Sequence, residues 1–168
     1  MNKREHPFGM RGLMADLVLE QMAKDNRVWV VVGDLGYGMW NKVREAHPDR
    51  FLNAGAAEQA MVGVGVGLAL EGKIPVVYSI TPFLLYRAFE TIRNYLHHEL
   101  IPVKLLGSGR DTDYHNEGFS HWASEDRQVM GVVDGVQSHW PETIEELPAL
   151  AKRMFASRRP YYVNLRKV

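Results

Sequence analysis

The stretch Arg27-Val-Trp-Val-Val-Val-Gly33 is a short apolar run, rich in β-branched residues, that ends at a glycine. Its apolar residues are continuous and do not alternate with polar ones, which is typical of a strand buried on both faces of a parallel sheet. The preceding segment, 12–24, places apolar residues at helical spacing: Leu13, Met14, Leu17, Val18 and Met22. The order is therefore a helix followed by a buried strand.

The same alternation of helix and apolar strand continues to the end of the chain. The pattern predicts helices over 57–70, 83–97 and 142–156, a helical turn over 125–130, and strands over 74–79, 102–107, 135–138 and 161–165. Apolar strands separated by helices predict an α/β fold: one doubly wound domain of three layers, with a mostly parallel sheet, spanning residues 1–168.

Composition excludes several classes of function. The chain has 20 Lys and Arg and 20 Asp and Glu, so its formal net charge is zero and no overall field favours nucleic acid or an anionic membrane. Cysteine is absent, which removes disulfides, thiolate metal sites and cysteine nucleophiles. No apolar run reaches membrane-spanning length. We expect a soluble, cytoplasmic protein that recognises its partners at local sites.

In an open α/β sheet, ligands bind beyond the carboxyl ends of the strands, so the segments after Gly33, Ser79 and Gly107 are expected to share one edge. The longest segment without regular pattern, 108–124, follows the third of these strands. Loops of this length in compact domains are usually functional. The segment 33–38 lacks the motif of a nucleotide site, and no triplet of His, Asp and Glu has metal-ligand spacing.

One acid interrupts the apolar segment Phe51-Leu-Asn-Ala-Gly-Ala-Ala-Glu58-Gln-Ala-Met61, which otherwise predicts the end of a strand, a turn and a buried helix. A carboxylate in an apolar environment is costly unless it is paired or protonated, so Glu58 is a candidate for proton chemistry. Taken alone, the local sequence favours a simpler role, in which Glu58 caps the N-terminus of its own helix.

His121 lies near the end of the 108–124 segment, in Glu117-Gly-Phe-Ser-His121-Trp-Ala-Ser-Glu125. A loop histidine near the carboxyl edge of a sheet can bind substrate oxygens or transfer protons. The alternative is a histidine that only packs the loop, and the local sequence alone slightly favours this alternative.

Three motifs together resemble one known family by their order and spacing: Glu58-Gln59, Arg87-Ala88 and Gly118-Phe-Ser-His121. The chain resembles the pyrimidine-binding domain of transketolase-like thiamine diphosphate enzymes over nearly its whole length, from Asp34-Leu35 to Glu125-Asp126. The resemblance implies the thiamine diphosphate-binding fold of the pyrimidine-binding type.

The resemblance implies a specific role for Glu58. In the family, the matching acid shares a proton with N1′ of the aminopyrimidine of the cofactor, which activates C2 of the thiazolium ring. Burial favours the protonated form of such an acid, whereas the helix N-terminus favours the charged form, and a balance of the two suits proton sharing. The resemblance also implies cofactor contacts from Asp34 and Arg87, and from Thr81, Phe83 and Leu84 in the segment before Arg87.

The family lines its aminopyrimidine pocket with aromatic residues six and three positions before the residue matched by Arg87. This chain has Thr81 and Leu84 at those positions, with Phe83 displaced by one. We expect either that Phe83 supplies the stacking ring after a small change of register, or that Leu84 supplies an apolar contact without a ring.

Four loop residues are candidates for substrate binding. His121 matches a family histidine that contacts the substrate hydroxyl or the reaction intermediate, so the resemblance gives it a catalytic role as well. Glu117 falls where transketolases often carry an acid that faces a sugar hydroxyl. The phosphate-binding arginine and histidine of the family are replaced in this chain, and Arg110 or His115 is expected to take over contact with an anionic group.

Full transketolases also contain a diphosphate-binding domain, whose Gly-Asp-Gly and Asn signature is not convincingly present in this chain. The resemblance therefore implies a split enzyme. A separately encoded subunit of the transketolase N-terminal type holds the diphosphate and its Mg²⁺ or Ca²⁺, this chain holds no metal, and closed symmetry suggests an α2β2 assembly.

The expected reaction is transfer of a two-carbon ketol unit between a ketose and an aldose. Two alternatives stay open: a thiamine diphosphate-dependent decarboxylase or carboligase acting on a 2-oxoacid, and a non-catalytic regulatory module that kept the fold.

Overall fold

Parallel strands form the centre of the fold. The computed structural model describes residues 6–167. Within them the strands are β1 (Val28–Val32), β2 (Phe51–Asn53), β3 (Ile74–Ile80), β4 (Lys104–Ser108), β5 (Gln137–His139) and β6 (Tyr161–Leu165). They form one six-stranded sheet in the order β2-β1-β3-β4-β6-β5, and every neighbouring pair is parallel. The prediction of a doubly wound α/β fold is confirmed, with a sheet that is parallel throughout.

Helices cover the sheet on both sides. They are α1 (Gly9–Lys24), α2 (Asn41–Ala46), α3 (Glu58–Leu70), α4 (Thr81–Tyr86), α5 (Phe89–Thr91, continued by a π-helix over Ile92–His98), α6 (Asp126–Gly131) and α7 (Leu147–Ala156). Single turns of 3-10 helix occur at Pro48–Arg50, His115–Glu117, Phe119–His121 and Ile144–Glu146.

The helix predicted over 83–97 is divided in the structure into α4, α5 and the π-helix. α4 begins earlier than predicted, at Thr81, because Pro82 suits the first turn of a helix, where its missing N–H removes no intrahelical hydrogen bond. The chain then leaves α4 at Arg87 and Ala88 before α5 begins. Arg87 therefore lies at the end of a short helix and not in the middle of a long one.

Apolar side chains fill the space between the sheet and both helical layers. Val30 of β1 belongs to a buried cluster that includes Met14 of α1 and Met154 of α7, whereas the next residue, Val31, belongs to a second cluster that includes Met61 of α3. Successive residues of a strand face opposite sides, so a strand covered on both sides must be apolar at every position. This double burial explains the continuous apolar run that predicted β1.

The carboxyl ends of β1, β3 and β4 meet at one edge of the sheet, as expected. The parallel register pairs Val32 with Tyr78 and Ile80 with Ser108. Across residues 6–167, no helix has the length and apolar character needed to cross a membrane.

The long loop that follows β4 is anchored at its base. An antiparallel bridge between Asp111 and Ala123 closes it. Gly109, where the loop leaves the strand, has a φ of 85°, and a Cβ atom there would lie 2.4 Å from the Tyr114 ring. A glycine is therefore required at the point where the chain turns out of the sheet.

Candidate functional site

Glu58 begins α3 and is almost fully buried, with 3% of its surface exposed. The N-cap of α3 is Ala57, and no side chain caps this end of the helix. The Glu58 carboxylate accepts a hydrogen bond from Arg87, with 2.8 Å between Oε1 and Nη1. The capping role favoured by the local sequence is therefore wrong, and Glu58 is a buried carboxylate paired with an arginine.

Arg87 connects this acid to an aromatic ring. Its guanidinium carbon lies 3.8 Å from the ring centroid of Phe83, which is within cation–π distance. The Arg87 side chain is 49% exposed, and Phe83 is half-buried. The pair therefore lies at the surface beside Glu58.

The loop after β4 brings His121 to the same place. The His121 ring meets Phe83 edge-on at 4.8 Å between centroids, and it lies 6.0 Å from the Tyr114 ring. The ring nitrogen Nδ1 is 3.0 Å from the Ser120 hydroxyl. Although His121 is distant from Phe83 along the chain, the two side chains pack directly against each other.

Glu58, Phe83, Arg87 and His121 thus form one group, which we call the edge cluster. It joins the start of α3, the end of α4 and the loop after β4. A buried carboxylic acid can share a proton with a basic ring nitrogen, an aromatic ring can pack on a heterocycle, and an imidazole can bind a hydroxyl group. The chemistry of the group suits a heteroaromatic ligand that carries a basic nitrogen.

Thr81 and Leu84 lie outside the edge cluster, which corrects the expectation that they contact a cofactor. Both are 0% exposed. The Thr81 hydroxyl donates a hydrogen bond to the carbonyl of Gly109 over 2.8 Å, and Leu84 packs in the apolar core beneath α4. Because α4 begins at Thr81, Phe83 is the residue of this segment that reaches the site.

The structure also contradicts the expectation that Arg110 contacts an anionic group of the substrate. Its side chain is 1% exposed, and its guanidinium donates to the carbonyl of Pro141 over 2.8 Å and to the carbonyl of Asn164 over 3.1 Å. An ion pair with Glu142, at 2.9 Å, completes its surroundings. Arg110 therefore ties the loop base to the end of β6, and it has no free surface for an anionic substrate.

His115 and Glu117 lie on the exposed part of the loop. Desolvation alone would raise the pKa of Glu117, but the hydrogen bond from Lys167, over 3.3 Å, and the nearby charge of His121 hold that pKa below its ordinary value. Glu117 is therefore a carboxylate near His121. His115 makes no hydrogen bond or ion pair with the edge cluster among residues 6–167.

Asp34 follows β1 at the same edge of the sheet and is exposed. Its carboxylate accepts hydrogen bonds from the Tyr37 hydroxyl and from the Asn53 amide, which lower the pKa of Asp34. The Asn53 side-chain oxygen in turn accepts from the backbone N–H of Asp34 over 2.9 Å. These bonds tie the segment after β1 to the end of β2, and Asp34 lies at the carboxyl edge of the sheet without a hydrogen bond to the edge cluster.

Sequence reasoning missed a buried polar network beneath the loop. The Asp126 carboxylate accepts hydrogen bonds from Trp140, Tyr162 and Asn164, at 2.7, 2.8 and 2.8 Å. Burial raises the pKa of Tyr162 well above its ordinary value, so its hydroxyl stays a donor. Asn164 also donates to the Thr81 hydroxyl and to the carbonyl of Gly109. The network joins α4, the loop, α6 and β6, and its sequence signal was the single Asn in the apolar strand Tyr161–Leu165.

Arg11 was missed as well, because it lies on α1, far from the other site residues in sequence. Its guanidinium donates to the Tyr114 hydroxyl over 3.2 Å and to the Lys167 carbonyl over 3.0 Å. With Phe8, Tyr37 and Tyr114 it lines a cavity of about 340 Å³ at the carboxyl edge of the sheet. In the described part of the chain, no three His, Asp or Glu side chains are arranged to hold a metal ion.

Comparison with known proteins identifies the family. The family model for the transketolase pyrimidine-binding domain matches residues 6–168. A 6-deoxy-6-sulfo-D-fructose transketolase subunit, SqwH, from Clostridium sp. (strain MSTE9) is 29% identical over 157 residues, which are 93% of this chain and 49% of the relative. One subunit of an apulose-4-phosphate transketolase from Actinobacillus succinogenes is 32% identical over 118 residues, which are 70% of this chain and 38% of the relative. The chain spans half or less of these curated relatives.

Solved structures show the same likeness. A split-gene transketolase, described as an inactive beta4 tetramer, matches with a TM-score of 0.84 and 28% identity, over 95% of this chain and 51% of that one. A transketolase from Pichia stipitis matches over 100% of this chain and 27% of that one with a TM-score of 0.84, and at 15% identity this likeness concerns the fold alone. The fold and the family match agree, and the chain belongs to the family of transketolase pyrimidine-binding domains.

Proposed function

We propose that this chain is the pyrimidine-binding part of a split, thiamine diphosphate-dependent transferase that moves a two-carbon ketol unit between sugars or sugar-like substrates. The observation that carries the proposal is the edge cluster, in which a buried acid, an aromatic ring and a histidine from three segments converge. The chain belongs to the family of transketolase pyrimidine-binding domains, and the sequence resemblance to that family implies cofactor and substrate roles for Glu58, Arg87 and His121.

The residues of the edge cluster fit one part of the cofactor, the aminopyrimidine. Glu58 offers a buried carboxyl group, and Phe83 offers a half-buried ring beside it. Arg87 covers one face of that ring. A cation–π contact at an exposed site is worth only about 0.5–1 kcal/mol, so a heteroaromatic ring can replace the guanidinium on this face at small cost as long as Arg87 keeps its ion pair with Glu58. Asp34 orders the neighbouring turn of the same edge.

When bound, thiamine diphosphate supplies an electron sink for breaking the carbon–carbon bond next to a ketose carbonyl. Glu58 holds a proton at its carboxyl group and shares it with a ring nitrogen. Glu58 is almost fully buried, and its Oε1 lies 2.8 Å from Nη1 of Arg87, so the carboxyl group is held in one position away from water. A fixed carboxyl group of this kind suits proton exchange with a ring nitrogen.

For the substrate, we propose that His121 and Glu117 bind hydroxyl groups at the mouth of the site. Arg11 is a better candidate than Arg110 for an anionic end of the substrate, because it lines a cavity at the carboxyl edge of the sheet and has no acidic partner among residues 6–167. His115 is exposed nearby and remains a further candidate. An arginine matches phosphate, sulfonate or carboxylate geometry well.

The diphosphate and its Mg²⁺ or Ca²⁺ are assigned to a separately encoded subunit of the transketolase N-terminal type, in an α2β2 assembly in the cytoplasm. The exposed side of α3 is the surface proposed to receive that subunit. It carries Ala60, Gly63, Val64 and Gly67, and a Cβ atom built on either glycine meets nothing within 4 Å. Small exposed residues allow a partner helix to approach closely.

The test is to mix the chain with a diphosphate-binding subunit, thiamine diphosphate and Mg²⁺, and to measure ketol transfer. Glu58→Ala is expected to reduce kcat by at least about 100-fold, since positioned acid–base catalysis contributes on that scale. Glu45→Ala removes an exposed acid on α2 and is the matched control. Full activity of Glu58→Ala would contradict the mechanism. Release of carbon dioxide from a 2-oxoacid, without ketol transfer, would identify a decarboxylase instead.

A further inference from the structure

A basic cavity lies at the amino edge of the sheet, opposite the edge cluster. Its volume is about 410 Å³, and its lining includes Arg27, Lys73, Lys104 and Arg158 but no acidic residue. Each basic residue stands at or just before the start of a strand: β1, β3, β4 and β6. These four strands are neighbours in the sheet, so four distant parts of the sequence place their charges around one space.

Lys104 is the most unusual of the four. It is 1% exposed, and its ammonium donates to the carbonyls of Ser157 and Arg159 over 2.9 and 2.6 Å. The Tyr161 ring lies 5.3 Å from Nζ, and no carboxylate pairs with Lys104 among residues 6–167. An ammonium has three N–H donors, so one remains beyond these two bonds. Burial lowers the pKa of Lys104 to about 8, which leaves most of it charged at neutral pH.

The other charges are only partly compensated. Arg27 is paired with Asp25, at 2.7 Å. Lys73 and Arg158 form no hydrogen bond or ion pair through their side chains within residues 6–167. The C-terminal ends of α3 and α7 also lie at this edge, and each contributes about half a unit of negative charge. Three unpaired cations therefore exceed the helix-end charge by about two units.

We propose that this cavity binds a small molecule that carries two or more phosphate groups. An excess of about two positive charges favours a ligand with more than one negative group. Ile74, Pro102 and Phe155 supply an apolar wall for the rest of the molecule, and the volume lies within the range of about 300–1,000 Å³ found for small-molecule sites. Arg158 and Lys73 bind the phosphate oxygens from the rim, and Lys104 binds from the floor.

This site is separate from the edge cluster. The strands between the two edges are five to seven residues long in β1, β3 and β4, which corresponds to about 16–23 Å. The inference does not depend on the proposed reaction, and a ligand here does not contact Glu58.

The experiment is isothermal titration calorimetry, in which inorganic pyrophosphate and, separately, inorganic phosphate are titrated into the 168-residue chain. It is run at neutral pH and about 0.15 M salt, where the Debye length of about 8 Å suppresses diffuse attraction. Pyrophosphate is expected to bind at least about tenfold more tightly than phosphate, with one site per chain. Arg158→Gln and Lys73→Gln are each expected to raise the Kd for pyrophosphate at least about tenfold.

Two control variants locate the site. Arg44→Gln removes an exposed arginine that lines a different pocket, beside Val32 and Asn53 at the carboxyl edge. Glu58→Ala alters only the edge cluster. Both are expected to leave the Kd unchanged. Absence of pyrophosphate binding, equal affinity for phosphate and pyrophosphate, or equal weakening by Arg44→Gln and Arg158→Gln would each overturn the proposal.

Discussion

Replacement of Lys104 by methionine is expected to remove a pH dependence of stability that comes from one buried amine. Burial lowers the pKa of Lys104 from 10.5 to about 8 in the folded chain. Between these values the unfolded chain binds more protons at this site, so the free energy of unfolding rises with pH. The interval of about 2.5 pH units, at 1.36 kcal/mol per unit, corresponds to about 3 kcal/mol.

The assay is urea unfolding of the wild-type chain and of Lys104→Met, at about pH 7 and about pH 10.5, without polyanions in the buffer. The stability of the wild type relative to the variant is expected to increase by up to about 3 kcal/mol at the higher pH. There the neutral amine keeps its hydrogen bonds to Ser157 and Arg159, and the cost of burying a charge is gone. Lys152→Met, which removes an exposed lysine of α7, is expected to show no such change. A difference that stays constant or falls with pH would refute the reasoning.

Three further variants test the carboxyl edge. Arg87→Met leaves the Glu58 carboxylate buried without its cation, so the unfolding free energy is expected to fall by about 1–3 kcal/mol in chemical denaturation, and adding Glu58→Gln is expected to recover part of the loss. Thr81→Val removes the donor to the Gly109 carbonyl and is expected to cost about 1 kcal/mol in the same assay, whereas Thr81→Ser keeps the bond and the stability. Phe83→Ala is expected to weaken thiamine diphosphate binding by the assembled enzyme about tenfold, measured by calorimetry, and an unchanged Kd would exclude stacking on this ring.

The architecture was predictable because a strand buried on both faces needs apolar residues at successive positions, and such runs are visible in the sequence. Val30 and Val31 face opposite helical layers, so neither position tolerates a polar residue. Helix boundaries were less predictable. The break after α4 comes between residues that all suit a helix. The 3-10 turn that precedes α7 begins at a capping box formed by Thr143 and Glu146, and α7 itself begins only at Leu147.

The candidate site was predictable in part. Order and spacing of motifs pointed to Glu58, Arg87 and His121, and the structure brings all three together around Phe83. Arg110 was a reasonable candidate for anion binding, because an arginine in a polar loop is usually exposed. Its burial results from contacts with Asn164, 54 positions away, which no local pattern reveals.

The sequence by itself determined the layers of this protein, the direction of its strands and the edge that carries the candidate site, because these follow from periodicity and from the order of elements. Only the tertiary structure decided which side chains meet. Glu58 pairs with Arg87, 29 positions away, and the Thr81 hydroxyl donates to the Gly109 carbonyl. The buried Lys104 ammonium donates to two carbonyls from the segment before β6. The physical reason is that partners for buried polar groups are supplied by the packing of distant segments, and each such group takes the partner that its surroundings offer.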